Sequence, residues 1–155
     1  ELVTKLAEIE KIYCIIIEAD GAANKPLKAP NATEPVIPDN TSLVIPVVGV
    51  DALGCRLTKE EVFRSEIAAG LLEVPIGEIM TAELIARLMT HPQGITKGSP
   101  QEARIIPFIN KMDLNEGLSK GRSMANMILA MGHPQIKCVV LGQAQAPNPV
   151  VEVIW

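Results

Sequence analysis

Aromatic residues are scarce: two phenylalanines, one tyrosine and one tryptophan make up 3% of 155 residues. Platforms that stack single-stranded nucleic acid are built from such rings, so that class is excluded. Basic residues are also in deficit, 14 Lys and Arg against 18 Asp and Glu, for a net charge of −4. No basic footprint is left to neutralise a duplex backbone, and nucleic acid is not an expected partner. A few lysines with backbone N–H groups can still hold one small anion. No apolar run approaches the ~20 residues a membrane span needs, so no membrane association is expected. The three cysteines, Cys14, Cys55 and Cys138, form no Cys-x-x-Cys pair, which removes the usual zinc and redox patterns. Their odd number and scatter suit a reducing, cytoplasmic compartment. Missing too are Gly-x-x-x-x-Gly-Lys-[Ser/Thr], His-Glu-x-x-His and any recognisable Ser/His/Asp order.

What is present is an aliphatic core. The hydrophobic fraction is 48%, mostly Val, Ile, Leu, Ala and Met, which suits buried parallel strands covered by helices. The length fits one domain, residues 1–155. Apolar runs predict strands at Ile12–Ile17, Leu43–Val48, Arg104–Ile109, Lys137–Leu141 and, more weakly, Val150–Ile154. Cys14 and Cys138 fall inside such runs and read as core residues; Cys55 falls in a loop and reads as the one reactive-thiol candidate. Helical spacing places Leu2, Leu6 and Ile9 on a charged first helix within Glu1–Lys11, unlike a signal peptide. The lack of an initiator methionine there leads to the expectation that Glu1 is not the first residue of the gene product. Thr58 and Glu61 form a capping-box signature before Phe63, Ile67 and Leu71. Thr81 caps a helix carrying Leu84, Ile85 and Leu88, which should stop before His91-Pro92. Met124, Met127, Ile128 and Met131 mark a last helix that Gly132 can end; the methionine stripe reads as core, with a soft binding surface as the alternative. Strands alternating with helices predict a three-layer α/β domain with a mostly parallel sheet.

Glu18-Ala19-Asp20-Gly21 follows the first predicted strand, and ligands bind beyond the carboxyl ends of strands in such sheets. Side chains two apart on a strand point the same way, so Glu18 and Asp20 can converge as hard oxygen ligands for Mg²⁺ beside a phosphate. The alternative is ordinary surface carboxylates on a strand emerging into solvent. The next segment, Gly21–Thr41, lacks periodicity and holds Pro26, Pro30, Pro35 and Pro38. A stretch this long without regular structure is functional or disordered, and without ligand it is expected to be poorly ordered or held by a neighbouring chain. Its Lys25 and Lys28 read equally as anion ligands or as solvated charges. Asn110-Lys111-Met112-Asp113 follows the strand Arg104–Ile109 and matches the guanine-recognition motif of phosphate-loop GTPases. The Asp113 carboxylate can accept from guanine N1–H and the exocyclic amino group, the Lys111 stem can cover the base, and Asn110 can orient the loop. A polar strand-to-helix turn is the alternative. His91 and His133 follow helices; His91 reads as a helix-end cap, with acid–base or metal roles as the alternative.

These residues also carry a family resemblance. Glu18-Ala19-Asp20-Gly21-Ala22, Lys25-Pro26-Leu27-Lys28-Ala29-Pro30 and Glu34-Pro35-Val36-Ile37-Pro38 resemble the hallmark block of the YqeC-type selenium-dependent hydroxylase accessory proteins. Val48–Gly54, Thr90-His91-Pro92, Lys97-Gly98 and Asn110–Asp113 follow in that family's order. Departures are Thr33 where a histidine is usual, and Gln93 and Ile95 where an acid and a glycine are common. The family's leading Gly-Lys-Thr phosphate loop, with its strand and helix, has no counterpart here. The resemblance implies a fold like that of phosphate-loop NTPases, incomplete at its N-terminus, and a role in maturing selenium-containing molybdenum hydroxylases.

The combined expectation is an accessory protein that binds GTP or GDP with Mg²⁺. Asn110, Lys111 and Asp113 read the base, Asp20 and Glu18 hold the metal, and Lys25 and Lys28 hold an anion, with no catalytic residue assigned. GTP hydrolysis would need the phosphate loop. The alternative is a non-enzymatic carrier or scaffold for a selenium, molybdenum or pterin species, or for the hydroxylase. An incomplete sheet further implies self-association and weak GTP binding by the 155 residues alone. Glu18–Gly21 and Asn110–Asp113 are expected at one carboxyl edge.

Overall fold

The computed structural model describes residues 2–155. In chain order the elements are α1 (Leu2–Ala7), β1 (Leu27–Lys28), β2 (Leu43–Val44), β3 (Val47–Gly49), β4 (Val62–Phe63), α2 (Ser65–Leu72), α3 (Ala82–Thr90), β5 (Arg104–Ile105), β6 (Phe108–Asn110), α4 (Gly117–Ala130), β7 (Val139–Gly142) and β8 (Val150–Ile154). A 3-10 turn, Val50–Ala52, follows β3. Glu1 lies outside the described residues. Among them no helix is long and apolar enough to cross a membrane.

The molecule is α/β with mostly parallel pairing. β3, β6, β7 and β8 form one sheet in that order, with only β8 antiparallel. β2 pairs with β5 in the same register as β3 with β6, Leu43 opposite Arg104 and Val47 opposite Phe108. These are therefore two predicted strands, each interrupted in the middle. Pro46 and Pro107 stand at the interruptions, opposite one another in that register, and neither can donate to a ladder. β1 and β4 form a separate parallel pair.

The sheet has one fully buried face, where burial on both had been expected. Val48, Ile109 and Leu141 line up across β3, β6 and β7 and are buried against the helices. The alternate row, Val47, Phe108, Val140 and Val153, is exposed or half-buried. The helices pack in series, α2 on α3, α3 on α4, and α4 on β7. Leu84, Ile85, Leu88 and Met89 of α3 meet Met124 and Ile128 of α4 in the shared core. Met124 is fully buried, and Gly132 follows the helix at φ 68°, as the pattern predicted.

Three expectations fail here. Ile12–Ile17 forms no strand: it joins no ladder, and Tyr13, Cys14 and Ile16 are exposed. A strand is made by a hydrogen-bonding neighbour, and this ribbon has none among the described residues. The Thr58 capping box does not start a helix. Glu61 instead accepts from the Arg56 N–H, Thr58 closes a turn through its carbonyl to Val62 N–H at 2.8 Å, and Phe63 enters β4. Helix α2 begins later, after Arg64 in the left-handed conformation at φ 59°. Thr81 does cap α3, its Oγ1 accepting from Leu84 N–H at 3.2 Å.

The third failure is Gly21–Thr41, which packs into the molecule. Leu27 and Ala29 are 1% and 0% exposed and belong to the main core. The prolines restrict the chain to extended conformations, so ordering it costs less entropy than the absence of periodicity suggests. Leu27→Ala is therefore expected to lower unfolding free energy by about 2–5 kcal/mol in urea titration, the usual range for a buried leucine. A loss below about 0.5 kcal/mol would place the segment outside the core.

Candidate functional site

The chain reverses after β6 in a loop held at three points. Asn110 Oδ1 accepts the Ala144 N–H at 2.9 Å, and Met112 N–H donates to the Gly142 carbonyl at 3.1 Å. The Met112 side chain is buried beneath α4, where a Cβ at Gly121 would lie 2.7 Å from its Sδ. Lys111, between these anchors, has φ 70°. A non-glycine residue in that region costs of order 1–3 kcal/mol and persists where its surroundings force it, often at ligand sites. Lys111 Nζ is 2.6 Å from Asp51 Oδ2, just past β3. Asp113 follows the anchors, exposed, and no ion pair or hydrogen bond engages its carboxylate among the described residues.

Gly49 ends β3 and joins this loop to the proline-rich segment. Its N–H donates to the Pro26 carbonyl at 2.9 Å. A Cβ there would lie 2.2 Å from Asp51 Oδ1 and 3.3 Å from both Lys111 Nζ and Pro26 Cβ. Only glycine lets these groups meet.

On the other side of Pro26, Lys28 is the centre of an ion cluster. Its side chain is only 8% exposed, and its ammonium lies 2.9 Å from Asp20 Oδ2, 2.6 Å from Glu34 Oε2 and 2.9 Å from the Gly21 carbonyl. An ammonium has three donors, and all three are used. Arg64 completes the cluster with a two-pronged bond to Glu34, at 2.6 and 3.1 Å, and its guanidinium stacks 4.7 Å from the Phe63 ring centre. Hydrogen bonds from Arg64 first, then Lys28, hold the Glu34 carboxyl down at about 2. Lys97 fastens the far end of the segment, donating to the carbonyls of Asn31 at 2.7 Å and Ala32 at 3.2 Å.

Glu18, Asp20, Lys25, Lys28, Asn110 and Lys111 all line one cavity of about 1120 Å³, whereas Asp113 does not border it. The two predicted site segments thus face a common space. Within it Lys25 donates to the Glu60 carbonyl and Lys28 is saturated, while Glu18 is exposed with no described partner. Sequence reasoning gave no role to Glu34, Arg64, Asp51 or Ala144. Arg64 lies 30 residues from Glu34 and Ala144 lies 34 from Asn110, beyond any local pattern. The histidines share one local device, His-Pro-Gln, in which Nδ1 accepts the N–H two residues on, at 3.0 Å for His91 and 3.3 Å for His133. Burial pushes His133 down from its ordinary value. Cys55 is half-buried, and burial first, then the Glu61 and Asp51 charges, pushes its thiol up to about 11. Its thiolate is scarce at neutral pH, which removes the reactive-thiol reading.

Residues 1–66 match the family described as YqeC protein. Across 146 residues the chain is 32% identical to a protein of Escherichia coli (strain K12) that carries the name Uncharacterized protein YqeC, covering 94% of this chain. The chain belongs to the YqeC family. It spans 56% of the length of that relative. No solved structure matches it. The matched YqeC segment, 1–66, contains the whole ion cluster, from Asp20 through Lys28 and Glu34 to Arg64.

For this YqeC-family chain, a metal has little protein to hold it. Among the described residues no group of three or more His, Cys, Asp or Glu side chains converges on one point. Asp20 is already paired with Lys28. Two carboxylates suffice for Mg²⁺ only where water and phosphate oxygens complete the shell.

The cluster makes a pH prediction. The folded-state value of Glu34 is depressed, so its contribution to stability is present above the ordinary carboxylate value of 4.5 and is lost as pH falls toward about 2. Urea unfolding of the parent chain between pH 5 and pH 2 is expected to show this loss. In Glu34→Gln the chain is weaker at neutral pH and that part of the slope disappears. An unchanged slope would mean the cluster does not stabilise the fold.

Proposed function

We propose that the chain is the base-recognition and metal-side part of a guanine-nucleotide-binding accessory protein for selenium-dependent molybdenum hydroxylases. The observation that carries the nucleotide reading is the free, exposed Asp113 carboxylate immediately after two residues pinned to the β7 loop. A carboxylate on a fixed support can accept both the N1–H and the amino group of guanine. Adenine presents neither donor, so it would leave that carboxylate unmatched. Asn110, whose Oδ1 takes the Ala144 N–H, keeps its amide donors for the base edge or the loop. The Lys111 stem covers the ring face while its ammonium stays with Asp51.

On this reading Mg²⁺ is held chiefly by phosphate and water, with Glu18 as the free carboxylate and Asp20 shared with Lys28. Lys25 and Lys28 contact an anion only by exchanging a present acceptor for a phosphate oxygen. The chain's own residues position and exclude; no group is assigned to phosphoryl transfer, which rests mostly on positioning and electrostatics. The hydroxylase role comes from family resemblance. A carrier or scaffold role is favoured by a separate observation, that both lysines are already engaged.

Calorimetric titration of the full-length gene product with GTP, GDP, ATP and Mg²⁺ tests this. GTP and GDP are expected to bind and ATP not. Asp113→Asn should weaken GTP about 10- to 100-fold, the loss of a charge-assisted bond. It should improve xanthosine triphosphate, whose C2 carbonyl can accept from the new amide. Equal binding of GTP and ATP, or none of either, would favour the carrier reading.

A further inference from the structure

Gly49 has an ordinary extended backbone, φ −76° and ψ 140°, which any residue can adopt. What a side chain would lack there is room, because its Cβ would collide with the Asp51 carboxylate and crowd the Lys111 ammonium. The glycine thus leaves space for one ion pair, and that pair joins the ends of β3 and β6.

Asp51 is carried by the 3-10 turn Val50–Ala52, in which Val50 and Ala52 are buried. The Leu53 N–H closes this turn on the Val50 carbonyl at 3.1 Å. The carboxylate is therefore the exposed tip of a buried support, and Lys111 is its one hydrogen-bonding partner among the described residues. The other lysines of the cavity end on main-chain carbonyls, Lys25 on Glu60 and Lys28 on Gly21. Lys111 is held by a side chain alone. Its backbone is fixed by the bonds of Asn110 and Met112, and Asp51 fixes the far end of its stem. A pair this open, with side chains 41% and 36% exposed, adds little to stability. What it supplies is order. Lysine has much rotamer freedom to lose, and a ligand that must itself order the side chain binds more weakly.

We propose that Asp51 is a positioning residue of the site, holding the Lys111 stem in place before any ligand arrives. A flat purine ring then meets a wall already formed. The inference rests on the guanine reading of Asn110–Asp113 and adds to it a residue outside that motif. An aliphatic stem covers a ring face without reading its substituents, so Asp51 governs affinity for the purine while Asp113 governs the choice among purines.

The test uses the full-length gene product and its Asp51→Ala variant. Carbon-13 relaxation of the Lys111 ε-methylene, without ligand, is expected to show restricted motion in the parent and free motion in the variant. In calorimetry the variant should bind GTP and inosine triphosphate about 3- to 10-fold more weakly, by the same factor for both. These two nucleotides differ only in the amino group that Asp113 would accept. The melting temperature should fall by no more than about 4 °C. A Lys111 side chain equally mobile in both proteins, or a variant that binds as the parent does, overturns the proposal. A loss for GTP without one for inosine triphosphate also overturns it, since the effect then runs through Asp113. A larger fall in melting temperature marks Asp51 as structural and does the same. Failure of the parent to bind any guanine nucleotide defeats the guanine reading and this proposal with it. Binding that Asp113→Asn weakens and Asp51→Ala leaves intact defeats this proposal alone.

Discussion

The Lys28 ammonium is the interaction on which the arrangement of the site depends. Asp20 follows the unpaired ribbon, Glu34 lies deep in the proline-rich segment, and Arg64 leads into α2. One buried charge and its partners tie these three pieces of chain together. Removing Asp20 or Glu34 leaves the buried Lys28 ammonium short of an acceptor, and a buried charge so left is costly even where forming its pairs gains little. The cluster also keeps Pro26 where its carbonyl reaches Gly49, and Gly49 brings the second half of the site within contact.

This dependence divides the site into two kinds of residue. Lys28, Glu34, Arg64, Gly49 and Asn110 hold the scaffold in place through hydrogen bonds already made, Lys28 with all three donors used and Asn110 with its carbonyl oxygen engaged and its amide donors left over. Glu18 and Asp113 have none of theirs committed and stand at the surface. Functional carboxylates are commonly supported in this manner, rigid underneath and unsatisfied at the tip. Lys25 and Lys28 fall on the committed side, although the sequence offered no way to tell them from Glu18.

Much of the sheet was legible because continuous aliphatic runs mark buried strands. Leu43–Val48, Arg104–Ile109, Lys137–Leu141 and Val150–Ile154 all contain one. Ile12–Ile17 has the same composition and fails, since pairing is a property of two segments and composition describes one. Thr58 and Glu61 have the right spacing for a cap, yet here Thr58 closes a turn through its carbonyl while the Glu61 carboxylate accepts from the Arg56 N–H. Gly21–Thr41 hid its burial because Leu27 and Ala29 are two residues in a stretch dominated by prolines and charges. Within the site, the Asn110–Asp113 motif was readable from four adjacent residues, while its support at Ala144 and Gly142 depends on the fold.

Pro46 and Pro107 have a consequence beyond splitting two strands. Facing each other at one level of the sheet, they remove donors from neighbouring ladders along a single line, which acts as a crease. The half of the sheet that carries Gly49 and Asn110 is joined to the half that carries Leu43 and Arg104 by fewer bonds at this level, although the Pro46 and Pro107 carbonyls still accept from Phe108 and Val140 at 2.9 Å. The sheet that registers the site to the molecule is thinned at that line. The site's loops carry their own fastenings, from Asn110 to Ala144 and from Gly49 to Pro26, so their mutual placement rests on more than the sheet.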